Sequence, residues 1–400
     1  MEEARPDDTR GPCAGYTVLE FGTMVSGPMA GQNLGDLGAN VIKVEPIMGD
    51  TARWTGPPER DGINGFFSQF NRNKRAICVD MKSQEGIDIV RKLALSADVI
   101  ICNYRPGVAE RLGFGYESLR EQNPGLIFVL VSGFGADGPY CEQPAYDLVV
   151  QGMAGTMPTQ GNAGPPQMIR SVIADKTAAI TAASAALAAL LARERNGGTG
   201  QMVHVPMINA YAQIALPDIL TGETFRPVKP AEKFLPDIFH VWTCKDGYLV
   251  GMPIEDKQYA NLCKALGRED LAKDERFAQL GDRLKNINEM ITLLDGEFSN
   301  RPWRETLAAL KEHDVPFAPV YNVEDFMGDP QVQHNRTVFD ADDPRGGTTR
   351  FIRYPGVFEK TPATLRRHPP RYGEHTDEIL GEAGYSERDI EALRQSQAVA

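Results

Sequence analysis

The chain has 400 residues and a formal net charge of −12 at pH 7, with 42 lysines and arginines against 54 aspartates and glutamates. This length exceeds one compact core and predicts two domains, and the acidic balance leaves no basic stripe for binding nucleic acid. No window approaches eighteen uninterrupted apolar residues, so we expect no membrane span.

The N-terminal stretch, residues 1–13, is acidic and polar, unlike a signal peptide, and is predicted to be a disordered lead-in. The six cysteines include no C-x-x-C pair and the six histidines no H-x₃₋₅-H pair. Neither a disulfide framework nor a metal site is therefore expected. Scattered single cysteines fit a reducing cytoplasm, which is the compartment we expect.

The first predicted elements are a strand at Thr17–Phe21, a helix at Met29–Leu37 and a strand at Val41–Val44. This β-α-β order is the building block of a doubly wound parallel sheet. The turn at residues 22–28 has neither the G-x-G-x-x-G of dinucleotide sites nor the Lys-Ser/Thr of a P-loop. The interpretation of this chain as an NAD- or ATP-binding enzyme therefore loses its main support.

The alternation of strands and helices continues to residue 206. We expect strands at Arg75–Val79, Val99–Cys102, Leu126–Val131 and Met202–Val205, with helices at Ser83–Leu95 and from Leu148. Ligands of such sheets bind at the carboxyl ends of the strands. Arg105 and Arg111 follow one such end, where they either bind a phosphate or are ordinary surface arginines.

The alanine-rich run from Ile173 to Arg195 predicts a long helix, which the following glycines end. Asp175 lies at or just before its first turn. From this stretch alone two interpretations compete. Asp175 is an N-cap, the commoner case, or it is a nucleophile or anion-site carboxylate at the positive end of the helix dipole.

Composition changes after about Leu220, and Arg226–Pro230 is typical of a linker. A smaller α+β domain follows, with a hairpin at Phe239–Thr243 and Tyr248–Met252 and helices at Asp256–Leu266, Arg283–Phe298 and Arg301–Lys311. Pro316–Val323 is predicted to return the chain to the first domain. Ser386 and Asp389 form a capping-box pattern at the start of a closing helix.

Several motifs together resemble the class III CoA-transferase family, which includes formyl-CoA and carnitine CoA-transferases and the related α-methylacyl-CoA racemases. Each motif is short, but their order and spacing are specific, and the resemblance covers residues 14–394. The motifs are Val18-Leu-Glu-Phe, Ser26-Gly-Pro, Leu37-Gly-Ala-Asn-Val-Ile-Lys-Val-Glu45, Asn73-Lys-Arg, Val79-Asp-Met-Lys82, Asn103-Tyr-Arg-Pro-Gly107, Asn123-Pro, Tyr146-Asp147, Gly198-Thr-Gly-Gln201, Asp329-Pro-Gln-Val and Gly373-Glu-His-Thr-Asp-Glu-Ile-Leu380.

The resemblance implies an α/β fold in which a Rossmann-like large domain is built from both ends of the chain. A smaller α+β domain is inserted between them, and two subunits interlock as a homodimer. On this basis the large domain spans residues 14–220 and 326–400, and the linker and small domain span residues 221–325.

The resemblance also implies that Asp175 is the catalytic nucleophile, which outweighs its interpretation as a simple cap. A carboxylate is already ionised at pH 7 and can attack a thioester directly. The expected reaction moves CoA from an acyl-CoA to a free carboxylic acid through an aspartyl mixed anhydride and an aspartyl-CoA thioester. We expect amides at the helix N-terminus to stabilise the negative charge, and no tightly bound cofactor besides the CoA substrate.

The family's CoA contacts fall on several stretches of the large domain. They are Val25, Ser26, Val79, Asp80, Met81, Lys82, Asn103, Tyr104, Arg105, Arg111, Tyr146 and Asp147. Tyr104 is expected to pack on the adenine, and Arg105 or Arg111 to pair with a phosphate. This sequence departs from the family in two places. Pro46 replaces an arginine of some members, and residues 231–251 lack the glycine run of oxalate-type members.

The strongest alternative is an acyl-CoA racemase or epimerase of the 2-methylacyl-CoA type. The family's racemases have a histidine where this chain has Tyr146, and a tyrosine is a poor base at neutral pH, which favours transfer. A nucleotide-binding oxidoreductase and a non-catalytic CoA-binding scaffold are further alternatives. Succinyl-CoA as donor and a small or branched acid as acceptor follow from the habit of the family.

Overall fold

The computed structural model describes residues 11–160, 164–227 and 238–400. The chain forms two compact units. The large unit contains the described residues up to Ile219 together with Thr337–Ala400, and the small unit is Leu220–Arg336. The small unit is therefore inserted in the sequence between two parts of the large one.

Three predicted features lie wholly or partly outside the described residues. They are the lead-in at residues 1–10, most of the linker at 226–230, and residues 231–237 of the stretch that was compared with the glycine run. The end of the lead-in is ordered, because Cys13 is buried and its N–H donates to the carbonyl of Leu37 at 2.8 Å. Residues 11–13 thus belong to the large unit.

A parallel six-stranded sheet forms the centre of the large unit, in the order β3-β2-β1-β4-β5-β6. The strands are β1 (Thr17–Phe21), β2 (Asn40–Pro46), β3 (Lys74–Val79), β4 (Val99–Cys102), β5 (Ile127–Ser132) and β6 (Met202–Pro206). This is the strand order of the Rossmann fold, and its direction of winding reverses between β1 and β4, where such sheets bind their ligands. The prediction of an α/β fold with a parallel sheet is confirmed.

The central strands are short, almost continuously apolar and buried on both faces, as a parallel sheet covered by helices requires. Val18 of β1 lies beside Val41 of β2 on one side and Val99 of β4 on the other. This register brings the turn after β1 and the loop after β4 to the same edge of the sheet.

The helices cover both faces of this sheet and form most of the small unit, to which α10–α16 belong. In chain order they are α1 (Ser26–Asp36), α2 (Gly65–Phe70), α3 (Gln84–Ser96), α4 (Val108–Arg111), α5 (Tyr116–Arg120), α6 (Asp147–Met153), α7 (Met157–Gln160), α8 (Ile173–Arg195), α9 (Met207–Ala215), α10 (Asp256–Ala265), α11 (Glu269–Ala272), α12 (Leu280–Lys285), α13 (Ile287–Ser299), α14 (Trp303–Glu312), α15 (Val323–Gly328), α16 (Pro330–Asn335), α17 (Thr376–Glu382) and α18 (Glu387–Gln395), with 3₁₀ helices at Thr51–Trp54 and Ile219–Glu223.

Helix α8 packs into the core on one face of the sheet through its alanines, of which Ala178, Ala182 and Ala186 are fully buried. Small side chains let its backbone approach α1 closely. By length and composition α8 is the one helix of the described residues that would suffice to cross a membrane, but half of its apolar window is buried inside this structure. We assign it as a core helix.

The small unit is built around a three-stranded antiparallel sheet of β7 (Val241–Cys244), β8 (Gly247–Gly251) and β9 (Phe317–Pro319). The predicted hairpin is confirmed as β7 and β8. The predicted return segment, Pro316–Val323, stays in the small unit because β9 pairs with β8. A second antiparallel pair, β10 (Val338–Asp342) and β11 (Thr348–Ile352), lies in the returning part of the large unit.

Two helices begin at residues other than those predicted from apolar periodicity, because a proline determines where each one starts. Helix α1 starts at Ser26, three residues before the predicted Met29, because Pro28 lies in the first turn, where its missing N–H costs no hydrogen bond. Helix α14 starts at Trp303, since Pro302 adopts the extended conformation of an N-cap.

The helix predicted at Arg283–Phe298 is divided into α12 and α13 at Asn286. The Asn286 side chain donates to the carbonyl of Asp282 at 3.0 Å. Asparagine favours such local bonds over continued helix, which explains the break. By contrast, the closing helix α18 follows Ser386, whose capping box with Asp389 is confirmed.

Candidate active site

A pocket of about 380 Å³ opens at the carboxyl ends of β1, β4 and β5 in the large unit. Its walls are the turn after β1, the loop after β4, the end of β5 and the first turns of α6 and α8. This is the edge at which the strand order reverses. The pocket therefore lies where the fold itself predicts a ligand.

Asp175 lines this pocket from the first turn of α8. The N-cap position belongs to Val172 and carries no side-chain cap, so the interpretation of Asp175 as an N-cap is wrong. Burial, followed by repulsion from Asp147, raises the pKa of Asp175 from 3.8 to about 6, while the hydroxyl and backbone N–H of Ser26 act in the opposite direction. The Asp175 carboxylate is thus available to a ligand and does not cap the N-terminus of α8.

Asp147, at the start of α6, supplies the missing cap from 28 residues earlier in the chain. Its Oδ2 accepts hydrogen bonds from the backbone N–H of Ala174 at 2.7 Å and of Asp175 at 3.1 Å. A cap of this kind satisfies amides that the helix itself cannot. Asp147 and Asp175, the carboxylate pair, therefore have different tasks although they lie side by side.

The amides at the N-terminus of α8 are all engaged. Two donate to Asp147, and those of Ile173 and Lys176 donate to the carbonyls of Ser171 and Val172. The expectation that helix N-terminal amides stabilise developing charge on a substrate stays a prediction. The groups that lower the pKa of Asp175 belong to Ser26, at the start of α1.

Gln151 is a residue that the sequence analysis missed. It lies one helical turn after Asp147 and donates to the Asp147 Oδ1 at 2.6 Å. The same side chain donates to the Ser171 carbonyl at 3.1 Å and accepts from the Ile169 N–H at 3.0 Å. It ties α6 to the segment that enters α8. The i, i+4 spacing within a predicted helix was the available signal.

The turn after β1 carries Ser26 into the pocket and is held in a strained conformation. Met24 has a φ of 64°, in the left-handed region that residues other than glycine rarely adopt. Its N–H donates to the Asp50 Oδ1 at 2.9 Å, and the Thr23 N–H donates to the Asn103 Oδ1 at 3.0 Å. Strain that persists at such a place indicates a functional constraint.

A buried set of alternating charges, here called the charge network, supports this turn. It consists of Glu20, Lys43, Glu45, Asp50, Arg53 and Lys74. The Lys43 Nζ lies 2.8 Å from the Asp50 carboxylate and donates to the Gly22 carbonyl at 2.8 Å. Burial alone would lower the pKa of Lys43, but the neighbouring carboxylates of Asp50 and Glu20 raise it. Each charge in the network thus has an opposite partner.

The comparison with known proteins decides the family. The sequence model of CoA-transferase family III matches residues 13–376. The chain belongs to this family. It is similar to a succinate–glutarate CoA-transferase of Agrobacterium fabrum, with 34% identity over 396 residues that cover 94% of this chain and 97% of the relative.

A succinyl-CoA:glutarate CoA-transferase of Mus musculus is 31% identical over 96% of this chain and 90% of its own length. Among solved structures, a CAIB/BAIF family protein of Brucella suis has a TM-score of 0.81 at 33% identity, covering 94% of this chain and 100% of that one. The chain is an acyl-CoA:carboxylate CoA-transferase. The racemase alternative is not favoured, because these curated relatives are named as transferases.

The pocket of this family III transferase brings together seven of the thirteen predicted site residues. They are Ser26, Asn103, Tyr104, Arg105, Tyr146, Asp147 and Asp175. Val25 is buried beside them as the residue before α1. The pocket also includes Ser132, Gly133, Cys141 and Met207, which no sequence motif indicated.

The other predicted CoA contacts do not line this pocket. Val79 is the last residue of β3, and Asp80, Met81 and Lys82 follow it. The Asp80 N–H donates to the Ala398 carbonyl at 2.8 Å. Arg111 is exposed at the end of α4. The assignment of these residues to coenzyme A stays a prediction.

Proposed function

We propose that this transferase moves CoA from an acyl-CoA to a free carboxylic acid through covalent intermediates on Asp175. One observation carries the proposal: the Asp175 carboxylate lines the pocket, while Asp147 performs the capping task that would otherwise explain an aspartate at this place. Both members of the carboxylate pair are acids, and within the described part of the chain no cation contributes to the pKa of Asp175.

The first half-reaction has two steps. An Asp175 Oδ attacks the thioester carbonyl of the donor, the C–S bond breaks, and CoA leaves as its thiolate from a mixed anhydride. The thiolate then attacks the aspartyl carbonyl of this anhydride, which releases the donor acid and leaves an aspartyl-CoA thioester. Energy of the thioester is conserved at each step, so the reaction needs no other source of activation.

The second half-reaction reverses these steps with a different acid. The acceptor carboxylate attacks the aspartyl carbonyl and expels the CoA thiolate, which gives a second mixed anhydride. The thiolate attacks the acyl carbonyl of that anhydride, and the product acyl-CoA leaves with the Asp175 carboxylate restored. Water must be kept from the activated aspartyl group throughout, because hydrolysis would end the cycle.

The raised pKa of Asp175 suits this chemistry. With a pKa of about 6, about nine-tenths of the enzyme carries the ionised carboxylate at pH 7. A more basic carboxylate is also a stronger nucleophile than an ordinary one, while the reactive form is still the major one. Burial and the neighbouring Asp147 thus place the group near the optimum for attack at neutral pH.

Ser26 is proposed to stabilise the charge that develops on the aspartyl oxygen. When the thiolate or the acceptor attacks the aspartyl carbonyl, one Asp175 oxygen becomes an oxyanion. Ser26 and Asp175 line the same pocket, and the Ser26 hydroxyl and N–H lower the pKa of this carboxylate. Preorganised donors of this kind lower the barrier without rearrangement.

The substrates are proposed to be short acids of the kind named for the relatives. The two curated relatives described above act, by their names, on succinate or succinyl-CoA and glutarate. We propose succinyl-CoA as donor and a short mono- or dicarboxylic acid as acceptor. We also propose a homodimer with interlocked subunits, from the family resemblance, and a cytoplasmic location, from the scattered single cysteines.

The test is a transfer assay with a panel of acyl-CoAs and acids, read by mass spectrometry. We expect a new acyl-CoA only when donor and acceptor are both present, and none with Asp175→Ala. Retention of transfer by Asp175→Ala would reject the covalent mechanism. Rapid exchange of the α-hydrogen of a 2-methylacyl-CoA, without any acceptor, would instead reject transfer as the main activity.

A further inference from the structure

The Asn103 side chain bonds entirely to the turn after β1. Its Oδ1 accepts from the Thr23 N–H at 3.0 Å, and its Nδ2 donates to the Thr23 carbonyl at 2.9 Å and to the Ser26 Oγ at 3.0 Å. The paired bonds to Thr23 fix which end of the amide is nitrogen. Because an amide nitrogen has two hydrogens, both donors of Asn103 are already used.

This arrangement decides the direction of the Ser26 hydroxyl. A hydroxyl has a single hydrogen, and the Ser26 Oγ accepts from Asn103, so its own hydrogen is free to point elsewhere. The Asp175 carboxylate lines the same pocket as Ser26, and the Ser26 hydroxyl lowers the pKa of that carboxylate. Ser26 is 2% exposed, so water does not compete for this hydrogen.

Gly27 allows the close approach of Asn103 to the turn. A Cβ at this position would lie 2.9 Å from the Gly22 Cα and 3.3 Å from the Asn103 Cγ. A larger residue would force the Gly22 backbone or the Asn103 amide to move. The turn is therefore shaped around the Asn103 side chain as well as around the charge network.

We propose that Asn103 is a positioning residue that fixes the Ser26 hydroxyl as a hydrogen-bond donor to the Asp175 carboxylate, and not the coenzyme A contact that the family resemblance implies. The proposal rests on the proposed role of Asp175 as nucleophile. The same donor serves the resting carboxylate and the oxyanion formed at the aspartyl carbonyl. Asn103 thus acts on the reaction through Ser26 and not through the substrate.

The charged groups that face Asp175 limit the interpretation of a pH profile. Asp147 of α6 is the charged group that raises the pKa of Asp175, and Ser26 of α1 lowers it. Arg105, after β4, also lines the pocket. Variants of Asn103 and Ser26 leave Asp147 and Arg105 unchanged, so a common shift of the profile reports the lost hydroxyl donor.

The experiment is a double-mutant cycle of Ser26→Ala and Asn103→Ala in the full chain, with transfer assayed across pH. Each variant is expected to lower kcat about tenfold to a hundredfold with an unchanged KM for the acyl-CoA. Each is also expected to move the acid limb of kcat/KM to higher pH, because the carboxylate loses a donor. The double variant should resemble Ser26→Ala alone.

Three outcomes would overturn the proposal. One is a KM for the acyl-CoA that rises tenfold in Asn103→Ala without a shift of the acid limb, which indicates a ligand. Another is additive losses in the double variant. The third is a wild-type kcat and pH profile for Ser26→Ala, which would show that the reaction does not use the Ser26 hydroxyl. This variant removes a single buried oxygen, so the test remains valid even if Asn103→Ala does not fold.

The proposed function is checked separately in the same proteins. Hydroxylamine is added during turnover, and the peptide that contains Asp175 is analysed for the hydroxamate. The hydroxamate can be trapped in wild type and in both single variants while the double-mutant cycle gives one of the three overturning outcomes. That combination rejects only the role of Asn103. No trapping in wild type would reject the covalent mechanism on which the inference rests.

Discussion

Two regions of the large unit bury carboxylates, and they treat them in opposite ways. In the charge network every carboxylate has a cation: Glu20 lies 2.8 Å from Lys74, and Glu45 lies 2.6 Å from Arg53. In the carboxylate pair, Asp147 bonds to amides and Asp175 faces Asp147. The first region neutralises its charges, and the second leaves a charge for a substrate.

At the same edge of the sheet, the charges of the charge network stabilise the fold, whereas the charge of Asp175 is kept for reaction. Removing one partner of a buried ion pair is strongly destabilising, because the other charge is left alone. A carboxylate held next to another acid has the opposite balance, since its ionised form costs stability and is retained for reactivity.

The largest effect is expected for the nucleophile. Asp175→Asn should lower kcat for transfer by about a thousandfold or more, because the amide cannot form the anhydride. Steady-state assays of acyl-CoA formation measure this. Asp88→Asn makes the same change on the exposed side of α3 and should keep wild-type activity. A kcat above a tenth of wild type for Asp175→Asn would contradict the assignment.

The next effect belongs to the charge network. Glu20→Gln should destabilise the fold by about 3–5 kcal/mol, because Lys43 and Lys74 lose their shared, fully buried partner. Urea unfolding of the purified protein measures it. Glu85→Gln, an exposed site on α3, is the matched control and should change stability by less than about 0.5 kcal/mol. Equal losses in the two variants would show that the network is not structural.

Replacing a carboxylate by its amide should have the opposite effect on the free energy of unfolding in the carboxylate pair. The pKa of Asp175 is about 6 when folded and 3.8 as an ordinary aspartate, so the folded state binds the proton more tightly. Its ionised form therefore costs stability above about pH 6, and this cost disappears as the pH falls through 6 towards 4.

Asp175→Asn should accordingly stabilise the fold by about 3 kcal/mol at neutral pH and by less than about 0.5 kcal/mol below about pH 4. Urea unfolding at both pH values makes the comparison with wild type. A destabilised variant at neutral pH would mean that Asp175 is a structural residue after all.

The smallest effect is expected for the capping acid. Asp147→Asn keeps an oxygen for the amides of α8 but removes the negative charge that raises the pKa of Asp175. The acid limb of kcat/KM should therefore move to lower pH, with a loss of less than about tenfold at neutral pH. Glu142→Gln changes an exposed acid of the pocket loop and should leave the limb in place. A shift to higher pH in Asp147→Asn would contradict the repulsion.

Local patterns in the sequence predicted much of the fold. The bounds of β1 and β4 agree with the prediction to the residue, because short apolar runs between turn residues have few alternatives. The sequence also placed Asp175 in the first turn of a long helix. The strand order, by contrast, depends on contacts between distant segments, and the sequence predicted only that the sheet is parallel and Rossmann-like.

The different roles of Asp147 as the cap and Asp175 as the pocket carboxylate could not be predicted from local sequence patterns. An aspartate at a helix N-terminus is usually its cap, and nothing within Ile173–Arg195 shows that another residue takes this task. The cap comes from α6, and Gln151 holds it there. A hydrogen bond between segments 28 residues apart leaves no periodic signal in the sequence.

The central claim is that one Asp175 oxygen takes part in every turnover. The most direct measurement uses an acceptor acid that carries a heavy oxygen isotope in its carboxylate, followed by mass spectrometry of the peptide containing Asp175. The account predicts that the isotope enters Asp175 as labelled acyl-CoA forms, because the bridging oxygen of the second anhydride stays with the enzyme. Labelled product with an unlabelled Asp175 would contradict it.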